Sequence, residues 1–383
     1  MKKSLRILII CKSMPWRFKG GIQTHSWELA RSLQQRGYAV TILSAGPFKA
    51  GEKQTEKDGV KLVELPYFPG RYLKPISLIA EEISFNWAVK KWVKIHHTQF
   101  DIIHAQGRSG YLLYGMKALR LKLVMTIHSI IHSEASHRGF FNLNARLHAI
   151  ISARLESKMI AHTPTCLSVS EDLKQKVEQH QAHTNLTVVP NGVNVVEDEP
   201  LMLGVKPSRF LFVGRLHPVK GLMPLVKSIK NGSGDFMLDI IGNGPQYPAL
   251  KAFVEKNRLQ DRVRLLGEAD TETIHRLIPY YVALVLPSYY ETQGIVLLEA
   301  NAHAVPVIAS DIAAIRETVS HGENGLLCDP EKPEEYVAAM QRLIDNPLEA
   351  QLMGIRGRKK VINQYTWSGI AAATSQIYQK VAS

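Results

Sequence analysis

The chain has 383 residues, 45% of them apolar and 21% charged. That is ordinary folded globular usage; it excludes a disordered or fibrous chain, and the length asks for two domains rather than one. Lys and Arg number 47 against 34 Asp and Glu, a formal charge of +13, which favours an anionic partner: nucleic acid, an anionic membrane surface or a phosphorylated small molecule.

Met1-Lys2-Lys3 before an apolar run has a faint likeness to a secretory leader. The run Leu5 to Cys11 is short, Arg6 interrupts it, and no small-residue cleavage site precedes Lys12, so it reads as a buried first strand. No window approaches the roughly 18 apolar residues of a membrane-spanning helix. A loop with Gly20 and Gly21 follows, then an amphipathic helix from Ile22 to Gly37, then a strand over Tyr38 to Ala45. Strand, glycine loop, helix and strand make a βαβ unit. Further strands are predicted at Val60 to Pro66, Phe100 to Gly107, Lys122 to Ser129, Thr165 to Ser170 and Asn185 to Val193, with a helix over residues 143 to 157 and another opening near Glu171. Cys11, Cys166 and Cys328 are widely spaced, form no metal-ligand pattern and read as buried thiols in a reducing compartment.

Residues 193 to 207 break the rhythm and read as a linker. Strands then recur at Arg209 to Leu216, Phe236 to Pro245, Val263 to Gly267, Tyr281 to Ser288, Val305 to Ser310 and Asn324 to Pro330, with helices after Gly221, over 247 to 257 and from Ile295. The alternation predicts a mostly parallel sheet in each half, with ligands beyond the carboxyl ends of the strands. Two such domains facing each other would hold one ligand in the cleft between them.

Four constellations carry the chemistry. Gly20-Gly21 stands between a strand and a helix mouth, where a diphosphate could meet backbone N–H groups; a plain tight turn is the rival, and the pattern is not the GxGxxG of a nicotinamide site. Gly214-Arg215-Leu216 with Lys220-Gly221 puts an arginine fork and a mobile ammonium at a strand end, suited to a diphosphate leaving group; a solvated basic turn is the alternative. Glu291 lies before a helix and Glu299 inside it, with the N–H groups of Gly294, Ile295 and Val296 at the helix start. Glu299 sits among Leu297, Leu298, Ala300 and Ala302, so its carboxylate needs a partner; a ribose diol or an internal ion pair would serve. His128 ends one strand of the first half and His104 lies in another; each reads equally as a sugar contact or as a satisfied structural histidine.

Together these residues, with Pro190-Asn191-Gly192-Val193, Gly242-Asn243-Gly244-Pro245, Arg316-Glu317 and Asn324-Gly325-Leu326, resemble the retaining glycosyltransferases of family 4. The resemblance covers nearly the whole chain. It implies the α/β GT-B fold, two Rossmann-like parallel-sheet domains facing across a cleft: an acceptor-side domain of residues 1–192, a linker of 193–207, and a donor domain of 208–366. The last helix, 367–383, would pack back on the first domain through Ile370, Ala371, Ala373, Ile377 and Val381. It further implies that Arg215 and Lys220 hold the diphosphate and Glu299 the ribose. Glu291 and the backbone of Gly294 and Ile295 would meet the donor sugar, and no metal or tightly bound cofactor is needed. Glu-Thr-Gln-Gly at 291–294 and Ala313-Ala314 depart from the family's usual Glu-Gly-Phe-Gly and Gly-Gly. Both border the expected sugar pocket and leave the sugar open.

A UDP-sugar is favoured as donor over GDP-mannose, on family frequency. The acceptor reads as a glycan or lipid-linked precursor of a cell-surface polysaccharide, with a small soluble acceptor such as an aminocyclitol as rival. An epimerase, a starch- or sucrose-type synthase and a nonenzymatic nucleotide-binding protein are the remaining readings. No recognition module for nucleic acid is present. Aromatic and basic residues mix over 68 to 97; they suit either an anionic membrane surface or a helix packed by Phe85, Trp87 and Trp92. The expected location is the cytoplasm, with peripheral attachment to the cytoplasmic face of the inner membrane as the alternative.

Overall fold

The computed structural model describes residues 4–18, 20–70, 77–130, 143–180, 185–195, 208–232 and 234–383. The chain divides into two compact units, Met1–Asn191 with Trp367–Ser383, and Gly192–Thr366.

The first unit holds one sheet in the order β3-β4-β2-β1-β5-β6-β7-β8, with β1 Arg6–Ile10, β2 Ala39–Gly46, β3 Lys53–Lys57, β4 Val60–Pro66, β5 Ile102–Gln106, β6 Leu123–Ile127, β7 Thr165–Ser168 and β8 Leu186–Val188. Every pairing is parallel except β3 with β4. The central strands β1 and β6 are almost wholly apolar after their first residues because both faces are covered. Ile7 and Ile9 pack with Trp27, Ala30 and Leu33 of helix Gly21–Gln35 and with Trp367, Ile370 and Tyr378 of helix Trp367–Ala382. Leu8 and Ile10 point the other way, into Phe85, Val89, Trp92 and Val93 of helix Ser77–His96. In the last helix Ile370 and Ala371 are buried as expected, whereas Ala373 is exposed.

Two expectations change, and one strand was not foreseen. Strand β3, Lys-Gln-Thr-Glu-Lys, is exposed along its whole length; a charged edge strand has no apolar alternation to betray it, and its charges blunt the open edge. The helix expected to stop near 157 runs Leu143–His162. Trp87 does not pack helix Ser77–His96, being 62% exposed while Phe85 and Trp92 are buried.

The second unit is a Rossmann sheet in the order β11-β10-β9-β12-β13-β14, with β9 Arg209–Val213, β10 Met237–Ile241, β11 Val263–Gly267, β12 Ala283–Leu286, β13 Val307–Ser310 and β14 Gly325–Cys328, all paired in parallel. The order reverses between β9 and β12, which opens a crevice at their carboxyl ends. Of the expected linker, residues 196–207 lie outside the described residues. Val193 is buried, and its N–H donates to the Tyr365 carbonyl at 2.8 Å.

Candidate active site

In the second unit, strand β9 runs into Gly214-Arg215-Leu216-His217 and a short 3-10 turn, Pro218–Lys220. Strand β12 runs into Pro287 to Gly294 and then helix Ile295–Ala302. The two loops are locked together. Tyr289 N–H donates to the Val219 carbonyl at 2.8 Å, and Gly221, at φ +65°, lies so close to β12 that a Cβ would stand 2.0 Å from the Pro287 oxygen. Gly242, after β10, approaches the β9 loop as tightly: a Cβ would stand 1.9 Å from the Gly214 oxygen. Glycine at both places is required by the fold of the crevice.

This packing brings two of the sequence-selected residues into contact. Lys220 Nζ lies 2.5 Å from Glu291 Oε1, and Ser288 Oγ donates to the same carboxylate oxygen at 2.9 Å. Both charged side chains are mostly buried, at 21% and 12% exposure. Ser288 was not singled out from sequence; it is completely buried and stands three residues before Glu291, at the strand end. Arg215 is exposed on the neighbouring turn, and among the described residues nothing pairs with its guanidinium. Glu299 is the fifth residue of helix Ile295–Ala302 and is half-buried. Among the described residues no group hydrogen-bonds its carboxylate; burial pushes its pKa up and His275 pulls it partly back. Gly294 caps that helix at φ +75°, and Ile295 and Val296 form its half-buried first turn, where backbone N–H groups have no partner within the helix. The unit thus gathers two cations, a paired carboxylate, an unpaired carboxylate and a helix N-terminus at one end of one sheet.

In the first unit, Gly20 caps helix Gly21–Gln35 with extended backbone and no side-chain cap bond. A Cβ there would meet only the flexible Gln23 side chain at 2.5 Å and Phe18 at 3.5 Å, so the fold places little demand on this glycine. His128 follows β6 and is 7% exposed. Its Nε2 lies 2.8 Å from Gln106 Oε1, and its ring meets His25 edge-on at 4.7 Å. His104, fully buried, is held by Tyr378 Oη at 2.5 Å and Thr126 Oγ1 at 2.7 Å. His25 Nδ1 donates to Asn191 Oδ1 at 2.8 Å, and its buried Nε2 has no partner. Burial drives all three imidazoles toward the neutral form: His25 falls to about 4, His104 to about 3, and His128 well below its usual value. Of this cluster only His104, His128 and Asn191 were selected from sequence. His25, Gln106, Thr126 and Tyr378 were missed, although His-x-Gln and Thr-x-His at period two in two strands are a legible signal of polar side chains sharing a sheet face.

Comparison with known proteins identifies the chain. Residues 19–197 match the family model described as Glycosyltransferase Family 4, and residues 197–360 match that described as Glycosyl transferases group 1. Alpha-maltose-1-phosphate synthase of Mycolicibacterium smegmatis is 32% identical over 410 residues, 99% of this chain and 100% of that protein. The chain belongs to glycosyltransferase family 4. Glycogen synthase of Mycobacterium tuberculosis is 26% identical across 98% of this chain and 94% of that one. Among solved structures, sucrose-phosphate synthase from Thermosynechococcus elongatus superposes with a TM-score of 0.82 at 22% identity, covering 98% of this chain and 99% of that one. As a family 4 glycosyltransferase of the GT-B fold, the chain is a retaining enzyme that uses a nucleotide-sugar donor. Among its described residues no group of three or more His, Cys, Asp or Glu could hold a metal ion, and no helix is long and apolar enough to cross a membrane.

Proposed function

We propose that the second unit binds a nucleoside diphosphate sugar at the β9/β12 crevice and that the enzyme transfers its hexose to a glycan or lipid-linked acceptor in cell-surface polysaccharide synthesis. The observation that carries the donor reading is the Lys220–Glu291 pair at the switch point, flanked by Arg215 and Glu299, whose side chains have no hydrogen-bond or ion-pair partner among the described residues. Arg215 and Lys220 neutralise the departing diphosphate, aided by the helix N-terminus at Gly294 and Ile295. Glu299 accepts the ribose hydroxyls, which would supply the partners its half-buried carboxylate lacks. Glu291, oriented by Lys220 and Ser288, takes hydroxyls of the sugar, and His128 takes another. Gly20 and Gly21, at the mouth of helix Gly21–Gln35, and Gly214 and Gly242, in the loops after β9 and β10, complete the proposed donor contacts. No carboxylate in this inventory is free to attack the anomeric carbon. The proton of the acceptor therefore passes to the leaving phosphate on the same face, which preserves the donor's α configuration. A UDP-hexose or UDP-N-acetylhexosamine is the preferred donor, with GDP-mannose second.

The lipid-linked acceptor is supported by helix Ser77–His96. Its outward face carries Ile83, Trp87 and Ile95, exposed by 43%, 62% and 67%, beside exposed Lys90, Lys91 and Lys94. That combination suits the anionic cytoplasmic face of a membrane. A soluble sugar or sugar-phosphate acceptor is the second reading, favoured by the names of the similar synthases. A mass-spectrometric donor screen against a mixed acceptor library, followed by the anomeric proton coupling of the product, tests the whole. Failure of UDP, GDP and ADP all to bind at millimolar concentration refutes the donor site, and a β-linked product from an α donor refutes retention. Flotation with anionic vesicles separates the acceptors: no binding at low salt removes the membrane.

A further inference from the structure

Strands β5 and β6 pair in parallel with Gln106 opposite Thr126. Directly paired residues in a parallel ladder share a face, as do residues two apart on one strand. His104, Gln106, Thr126 and His128 therefore stand on one face, and they form two hydrogen bonds of the same diagonal kind, His104 to Thr126 at 2.7 Å and Gln106 to His128 at 2.8 Å. Both ring nitrogens of His104 are already engaged, by Tyr378 and by Thr126. The Gln106 amino group lies 3.4 Å from each of them, a contact too long for a strong bond. The amide oxygen is directed instead to His128, and Gln106 is completely buried, which shields this bond from bulk solvent.

An amide oxygen can only accept, and a neutral imidazole carries one N–H. We propose that Gln106 is a positioning residue: it accepts the Nε2–H of His128 and so holds that ring in one tautomer, with Nδ1 bare to accept a hydroxyl of the transferred sugar. The role rests on the reading above that His128 meets the sugar. Among the described residues the titratable groups facing His128 are His25 from helix Gly21–Gln35, held through Nδ1 by Asn191, and His104 from β5, held at both nitrogens, and burial keeps both imidazoles neutral. The Nε2 of His128 is bonded to Gln106 Oε1 and to neither imidazole. A histidine locked in the wrong tautomer is a weak catalyst even where geometry survives.

The test begins without activity. In the full chain, ¹⁵N resonances of the His128 ring should show Nε2 protonated and Nδ1 bare at pH 7.5; a protonated Nδ1 overturns the proposal. In Gln106→Leu the two tautomers should mix, and kcat should fall by at least about tenfold while the affinity for UDP, read by calorimetry, stays at the parent value. Gln106→Glu keeps the acceptor and should retain one tautomer. It should keep most of kcat at pH 8.5 but lose it as pH falls, because the carboxylate stabilises the imidazolium and Nδ1 then gains a proton. Parent-like kcat and pH profile in both variants, with His128→Ala inactive, overturns the positioning role alone. Full turnover in His128→Ala overturns the sugar-facing reading of His128 and the positioning role with it.

Discussion

Removing the Lys220 ammonium separates what the β9/β12 crevice does for catalysis from what it does for the fold. In Lys220→Met the Glu291 carboxylate keeps only the Ser288 hydroxyl, at 2.9 Å, while remaining 12% exposed. A fully buried charge stripped of its partner costs about 3–5 kcal/mol; this one, with a residual hydrogen bond and some water, should cost about 1–3 kcal/mol. For a unit of this size that lowers the melting temperature by about 2–4 °C per kcal/mol. The catalytic loss is larger. One preorganised stabiliser of leaving-group charge is worth about 3–4 kcal/mol, or two to three decades in kcat. The double variant Lys220→Met/Glu291→Gln removes the stranded charge and should recover most of the melting temperature and none of the turnover. Differential scanning calorimetry and steady-state kinetics on the parent, both single variants and the double give the complete cycle. Turnover in Lys220→Met within threefold of the parent, or recovered in the double variant, refutes the assignment of Lys220 to the departing diphosphate.

Further outcomes follow from the geometry. Glu299→Gln should weaken nucleotide binding by about 1.5–3 kcal/mol, the worth of a hydrogen bond to a charged group, measured by calorimetry. The same change should raise the melting temperature of the ligand-free protein at pH 8: the folded pKa of Glu299 is raised, so its contribution to stability is present at low pH and lost as pH rises through that value. Unchanged binding sinks the ribose role. For the histidine cluster the sign is opposite. His25 and His104 titrate near 4 and 3 in the folded chain, below the unfolded value of about 6.5, so the first unit should lose stability as pH falls from about 6.5 toward 4, by about 3 kcal/mol for His25 alone; a flat melting profile over that window contradicts it. Gly221→Ala should fail to fold or melt far lower, since the added Cβ would stand 2.0 Å from the Pro287 oxygen. Gly20→Ala should fold normally, yet bind the donor more weakly if this loop approaches the diphosphate; circular dichroism and calorimetry distinguish the two.

The sequence by itself determined the two parallel sheets, because runs such as Arg6-Ile7-Leu8-Ile9-Ile10, with apolar residues at both parities after the first, fit strands covered on both faces. It also placed the residues proposed for the chemistry, since Arg215, Lys220, Glu291 and His128 all fall just after apolar runs and so at carboxyl strand ends, and it set Glu299 inside a helix starting at Ile295. It did not show edge strand β3, whose side chains face water and carry no pattern. Only the tertiary structure decided which selected residues meet. Lys220 and Glu291 are 71 positions apart, and their contact exists because β9 and β12 are neighbours at the switch point. His104 reaches Tyr378 across 274 positions because the last helix lies on the face to which His104 points. Period-two patterning reports that a side chain is buried, but strand order and register are set by the packing of the whole sheet, and those decide that Gln106, rather than any residue near it in sequence, holds His128.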